Sequence, residues 1–155
     1  MKLKMIKWLG AVLLLSGCAT LQQEQIRDLD RMADRTMAKL TLEFSGLQAE
    51  LSASAGYLVL ERSGSGIPLA GKKRYGVLVD NRSDQRVYVR VKTLEIDGGW
   101  GVGDYTGLFI IKDKTDFEQA ARRGWTSETP GRIYVYAGRE KPTSYPIKQI
   151  AVDPL

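Results

Sequence analysis

The chain has 155 residues, 43% of them hydrophobic and 26% charged, enough for one domain with an ordinary buried core. It contains no histidine and a single cysteine. That composition excludes histidine-based triads and the common His/Cys zinc sites, and it leaves no internal disulfide.

The first stretch, MKLKMIKWLGAVLLLSGC, places Lys2, Lys4 and Lys7 before an apolar run from Trp8 to Leu15, followed by small residues. A bilayer-spanning helix takes about 20 apolar residues, so this shorter run is expected to be an export signal rather than a membrane span. Leu15-Ser16-Gly17-Cys18 resembles the lipobox of bacterial lipoproteins. The resemblance implies cleavage before Cys18 and acylation of its thiol, and Ala19 in the next position implies sorting to the outer membrane, on its periplasmic side. Two or more acyl chains anchor a protein stably without a transmembrane helix. The expected organisation is a signal peptide over 1–17, a lipidated terminus and tether over 18–22, and one domain over 23–155.

Processing also changes the charge. The formal net charge of +5 comes from 23 basic and 18 acidic residues, and the signal carries three lysines and no acid, so 20 basic residues remain against 18 acidic. Apart from Lys72-Lys73-Arg74 there is no concentrated basic patch, and a nucleic-acid partner is not expected.

Ala19 to Glu50 is predicted to be helical. Ile26, Leu29, Ala33, Met37, Leu40, Phe44, Leu47 and Leu51 recur at three- and four-residue steps, while Arg27, Asp28, Asp30, Arg31, Asp34 and Arg35 occupy the other face. This stripe is expected to pack on a sheet, with a membrane surface or partner helix as the alternatives. Beyond it the pattern changes to strands and turns. Tyr57–Leu60 forms a short apolar run, and the glycines, serines and proline of ERSGSGIPLAGKK mark a loop. Tyr75–Val79 and Arg86–Leu94 are predicted strands joined through DNRSDQ, whose Asp and Asn residues suit a turn. Val87, Val89 and Val91 alternate with Arg86, Tyr88, Arg90 and Lys92, as in a strand with one buried face.

Tyr105–Ile111 is the next predicted strand. Thr115 and Glu118 have capping-box spacing at the start of a short helix, and Gly124 stands where that helix should stop in a left-handed conformation. Arg132–Ala137 and Ile147–Val152 complete the strands. The fold class predicted from this order is α+β, an antiparallel β-sheet packed with one long N-terminal amphipathic helix and one short helix.

ASAGYLVL at 53–60, YGVLVDNRSDQRVYVRV at 75–91, GGWGVGDY at 98–105, GLFIIKD at 107–113 and FEQAARRGW at 117–125 follow one another in an order that resembles the SYLF lipid-binding domain. The match covers about residues 48–125 and is carried by glycines and apolar residues rather than by reactive groups. Gly64, Gly66 and Gly71 make its first glycine segment thinner than the family's, so the chain is similar to a short or divergent bacterial member. The resemblance implies membrane or phospholipid association.

GGWGVGDYTG at 98–107 lacks the G-x-G-x-x-G spacing of a dinucleotide site and precedes a strand instead of a helix. Its glycines are expected to serve bulges or close backbone approach, with a groove for a lipid chain as the alternative. Glu95, Asp97 and Asp104 lie beside turns, where carboxylates are usually solvated or capping, so no catalytic residue, metal or cofactor is expected. The candidate lipid contacts are Lys72, Lys73, Arg74, Trp100, Asp104 and Tyr105, with the membrane reached through acylated Cys18. The alternative is an envelope structural or assembly lipoprotein that binds a protein partner.

Overall fold

The computed structural model describes residues 21–62, 74–96, 105–127 and 131–155. The order along the chain is α1 (Gln23–Glu43), α2 (Leu47–Ser52), β1 (Gly56–Arg62), β2 (Arg74–Asp80), β3 (Arg86–Ile96), β4 (Tyr105–Ile111), α3 (Lys114–Arg122), β5 (Trp125–Ser127), β6 (Gly131–Tyr136) and β7 (Thr143–Pro154).

The antiparallel ladder runs β3-β2-β1-β4-β6-β7, and β3 pairs again with β7. The sheet therefore closes into a six-stranded barrel, and the expected α+β class, an antiparallel β-sheet packed with one long N-terminal helix and one short helix, is corrected to a mostly β architecture. Closure follows from the long strands. β3 and β7 pair from Val89↔Pro154 to Ile96↔Ile147, with register shifts at Val91/Thr93 and Glu95/Ile96. Such irregularities bend a strand and increase its twist, which brings the two ends of the ladder together. Among the described residues β5 pairs only with β7, on the side also used by β6, so β5 and β6 occupy successive stretches of one neighbouring position.

Alternation along the strands produces two apolar clusters. The first draws on all six barrel strands, including Leu58, Leu78, Val89, Phe109, Ile133 and Ile150, and fills the bore. The strand glycines share this inward parity. A Cβ on Gly107 would stand 2.7 Å from Ile133 Cδ1, and one on Gly131 would stand 2.7 Å from Phe109 Cε2, so the narrow bore uses missing side chains to admit its large ones. Phe117 and Ala120 of α3 join the same cluster and plug one end of the barrel.

The second cluster lies on the outer wall. Met32, Ala33 and Leu40 of α1, with Leu47 and Leu51 of α2, cover Val59, Val77, Val79, Leu108, Ile110 and Tyr134. The apolar stripe of the long helix is thus satisfied by its own barrel. That helical region is broken between Glu43 and Leu47, where Phe44 is extended and ends α1. Polar contacts fix the direction of α1. Asp30 and Asp34 hold the Arg86 guanidinium, and Asp30 also accepts from the Tyr88 hydroxyl at 2.9 Å. Farther on, Lys39 lies 4.2 Å from the Tyr136 ring centroid, and Glu43 faces Lys141 at 3.6 Å.

The expected local signals are redistributed. The N-cap of α3 is Asp113, whose carboxylate accepts from the backbone N–H groups of Thr115 and Asp116, in place of the expected Thr115 box. Gly124 has φ +93°, as expected, and Asp84, with φ +56°, is the left-handed residue of the β2–β3 turn. β5 has no counterpart among the predicted strands.

Candidate functional site

The barrel's two ends differ. At one end α3 fills the mouth; at the other, β1 ends at Arg62, β2 begins at Arg74, β3 ends at Ile96 and β4 begins at Tyr105. Of the six candidate lipid contacts, Arg74 and Tyr105 are described, and both stand at this second end. Lys72, Lys73, Trp100 and Asp104 lie outside the described residues, as does Cys18. Arg74 is the first residue of β2, half-buried and opposite Val91, while Tyr105 begins β4 opposite Arg62. Tyr105 is buried among the bore residues, so its ring is part of the barrel core.

A six-stranded bore is narrower than the eight-stranded barrels that just hold a small ligand, and here it is packed with side chains. A binding site must therefore lie in the wall or at an end. The wall is breached beside α3. β4 pairs with β1 along its whole length, but its pairing with β6 runs only from Thr106↔Tyr136 to Phe109↔Ile133. Beyond Phe109, Ile110 and Ile111 have no ladder partner on that side among the described residues. A cleft of about 580 Å3 opens there.

Phe109, Ile111, Trp125 and Pro146 supply apolar lining, with the Phe109 and Trp125 rings tilted at 40° and 6.1 Å between centroids. Lys112, Arg132, Asp113, Asp116 and Glu50 supply charge. Two of the acids are committed. Asp113 caps α3, and both Glu50 oxygens lie 3.2 Å from the Tyr134 hydroxyl. Burial, followed by the neighbouring Glu50 charge and its hydrogen bond, raises the Tyr134 pKa above the ordinary value of 10.0. Arg132 spends Nε and Nη2 on Ser144, and among the described residues its Nη1 has no hydrogen bond and the exposed Lys112 ammonium has no ion pair.

This lining can take an amphipathic molecule, with an apolar part against Phe109 and Trp125 and an anionic group near Lys112 and Arg132. Among the described residues no three His, Cys, Asp or Glu side chains group as a metal centre requires. Sequence reasoning missed Phe109, Lys112, Trp125 and Arg132 because β5 is only three residues long. The available signal was Trp125 directly after the left-handed Gly124. No protein-family model matches the chain, and no curated protein matches it.

Proposed function

We propose that the protein is a lipoprotein held on the periplasmic side of a bacterial outer membrane through acylated Cys18, and that its barrel is a non-catalytic module binding phospholipid. The observation carrying the binding assignment is the cleft between β4, β5 and β6, with aromatic lining and two cations beside it. The Leu15-Ser16-Gly17-Cys18 signal supports the anchor, and the motif order that resembles the SYLF domain supports the ligand class. An anchored domain meets membrane lipid at high effective concentration, so a weak site suffices. The competing reading is an envelope structural or assembly lipoprotein that binds a protein partner through the long helix or a sheet edge; burial of Met32, Ala33 and Leu40 against the barrel gives the helix stripe less support as that surface.

The test uses unlipidated Ala19–Leu155 with Trp100→Phe, leaving Trp125 as the reporter. Co-sedimentation with zwitterionic and anionic liposomes is measured alongside quenching of Trp125 by brominated acyl chains. Binding that quenches Trp125 and weakens several-fold in a Lys112→Ala/Arg132→Ala variant supports the cleft. Binding lost instead in Lys72→Ala/Lys73→Ala/Arg74→Ala moves the site from the cleft to that basic segment. No binding to any composition overturns the lipid reading and leaves Cys18 as the membrane contact.

A further inference from the structure

The direction of α1 relates the barrel to its anchor. Asp30 and Asp34 meet Arg86 at the start of β3, which is the end plugged by α3. Lys39 reaches the carbonyl of Gly138, and Glu43 reaches Lys141, between β6 and β7 at the opposite end. The N-terminus of α1 therefore emerges on the α3 side. Gln23, Glu24, Gln25, Arg27 and Asp28 are exposed, and full burial begins only at Met32.

Between Cys18 and Gln23 stand residues 19–22, so even a fully extended chain spans at most about 18 Å. The 21 residues of α1 rise about 31 Å. Bringing the opposite end of the barrel to the membrane would require a stretched tether and a helix folded back along it. Laying α1 flat on the surface would press a face of mixed charge, Arg27, Asp28, Arg31, Asp34 and Arg35, against lipid. The α3 end lies on the side where the tether emerges, and beside the exposed Asp84, Asp113 and Glu118 it presents Arg82, Lys112, Arg122 and Arg123, four exposed cations without ion pairs among the described residues.

We infer that the acylated protein stands with its α3 end against the membrane that holds it, the cleft beside α3 facing that bilayer and the Arg62, Arg74, Ile96 and Tyr105 strand ends lying at the far end of the barrel. The partner of the α3 surface is the phospholipid head-group layer of the anchoring membrane. This inference rests on the Cys18 anchor proposed above, and it places the cleft, rather than the Lys72-Lys73-Arg74 segment, within reach of lipid from that membrane.

The test uses the full chain processed in bacterial membranes and reconstituted into phosphatidylethanolamine/phosphatidylglycerol vesicles carrying a head-group energy-transfer acceptor. A donor dye is placed through Arg123→Cys at the α3 end or Arg139→Cys at the opposite end, and the mass of the N-terminal peptide is measured on the same samples. An acylated peptide with transfer several-fold stronger from position 123 than from 139 is the expected result. Equal or reversed transfer with an acylated peptide overturns the orientation and leaves the anchor standing. A peptide without acyl chains overturns the anchor and the orientation together.

Discussion

Replacing Gly107 by alanine tests whether the bore is closed and filled as described. The new methyl would lie 2.7 Å from Ile133 Cδ1, 3.2 Å from its Cγ1 and 3.4 Å from Val135 Cγ1. Ordinary carbon contacts lie at about 3.5–4.0 Å, so roughly 1 Å must be recovered by moving a side chain with no exposed surface. Overpacking of this kind costs about 1–3 kcal/mol, and the smaller unfolded-state entropy of alanine offsets about 0.4–1 kcal/mol. A net destabilisation of about 1–2 kcal/mol is expected for Gly107→Ala. Ile133→Val removes the obstructing Cδ1 and should cost about 0.5–1.5 kcal/mol alone. Because the two changes share one space, the double variant should be about 1 kcal/mol more stable than additivity gives. Urea unfolding of the unlipidated domain, followed by tryptophan fluorescence at constant m-value, reads all three. Gly46→Ala, where an added Cβ has nothing within 4 Å, serves as the control. Additivity within about 0.3 kcal/mol would refute the shared-space account of the bore.

Removing the Arg86 guanidinium in Arg86→Ala should cost about 1–2 kcal/mol, since it leaves Asp30 and Asp34 without their cation. Hydrogen exchange should then rise in α1 more than in β1 and β4; uniform acceleration would contradict a local latch. Asp113→Ala removes the cap of α3 and should cost about 1 kcal/mol, with increased Trp125 emission shift as the plug loosens. Tyr57, Tyr88 and Tyr134 all have raised pKa values, burial being the first cause in each. Their contribution is fully present below the unfolded tyrosine pKa of about 10 and is lost as pH rises through the folded values. Stability should therefore fall above about pH 10, and absorbance titration should show phenols that ionise late. A flat stability profile across that range would count against these buried phenol environments.

The strand positions were legible because alternation is a local property: Val87, Val89 and Val91 face one way whatever their neighbours do. Closure was not, because it depends on β3 meeting β7 through register shifts between residues more than 50 positions apart. The inward glycines carried a readable hint. Gly56, Gly76, Gly107 and Gly131 each occupy a barrel strand at the parity of the bore, and such placement signals a tightly curved sheet. In the sequence they looked like glycines of separate segments. Burial of the α1 stripe was foreseen, while the polar latch through Arg86 and Tyr88 was not, since a strand arginine and tyrosine carry no mark of their long-range partner. The cleft was the least legible feature, because it is created by a gap in pairing.

That gap follows from strand lengths. β7 has 12 residues and β6 only six, so one neighbour cannot pair the whole side of β7. The chain resolves the mismatch by sending β4 through α3 into β5, which pairs Trp125–Ser127 with the C-terminal part of β7 before β6 takes the rest. The same excursion places Phe117 in the barrel mouth and leaves the end of β4, among the described residues, facing β5 and β6 without a ladder. The plug and the cleft are therefore two results of one connection. Substitutions at Lys112 and Arg132 can alter the cleft with little effect on the bore, since both side chains are exposed on the outside of the wall. Substitutions at Phe109 and Trp125 cannot, because those rings belong to the cleft and the core cluster together. Ligand selectivity in this architecture should accordingly be tunable through the charged rim, while the aromatic lining remains bound to the packing that keeps the barrel closed.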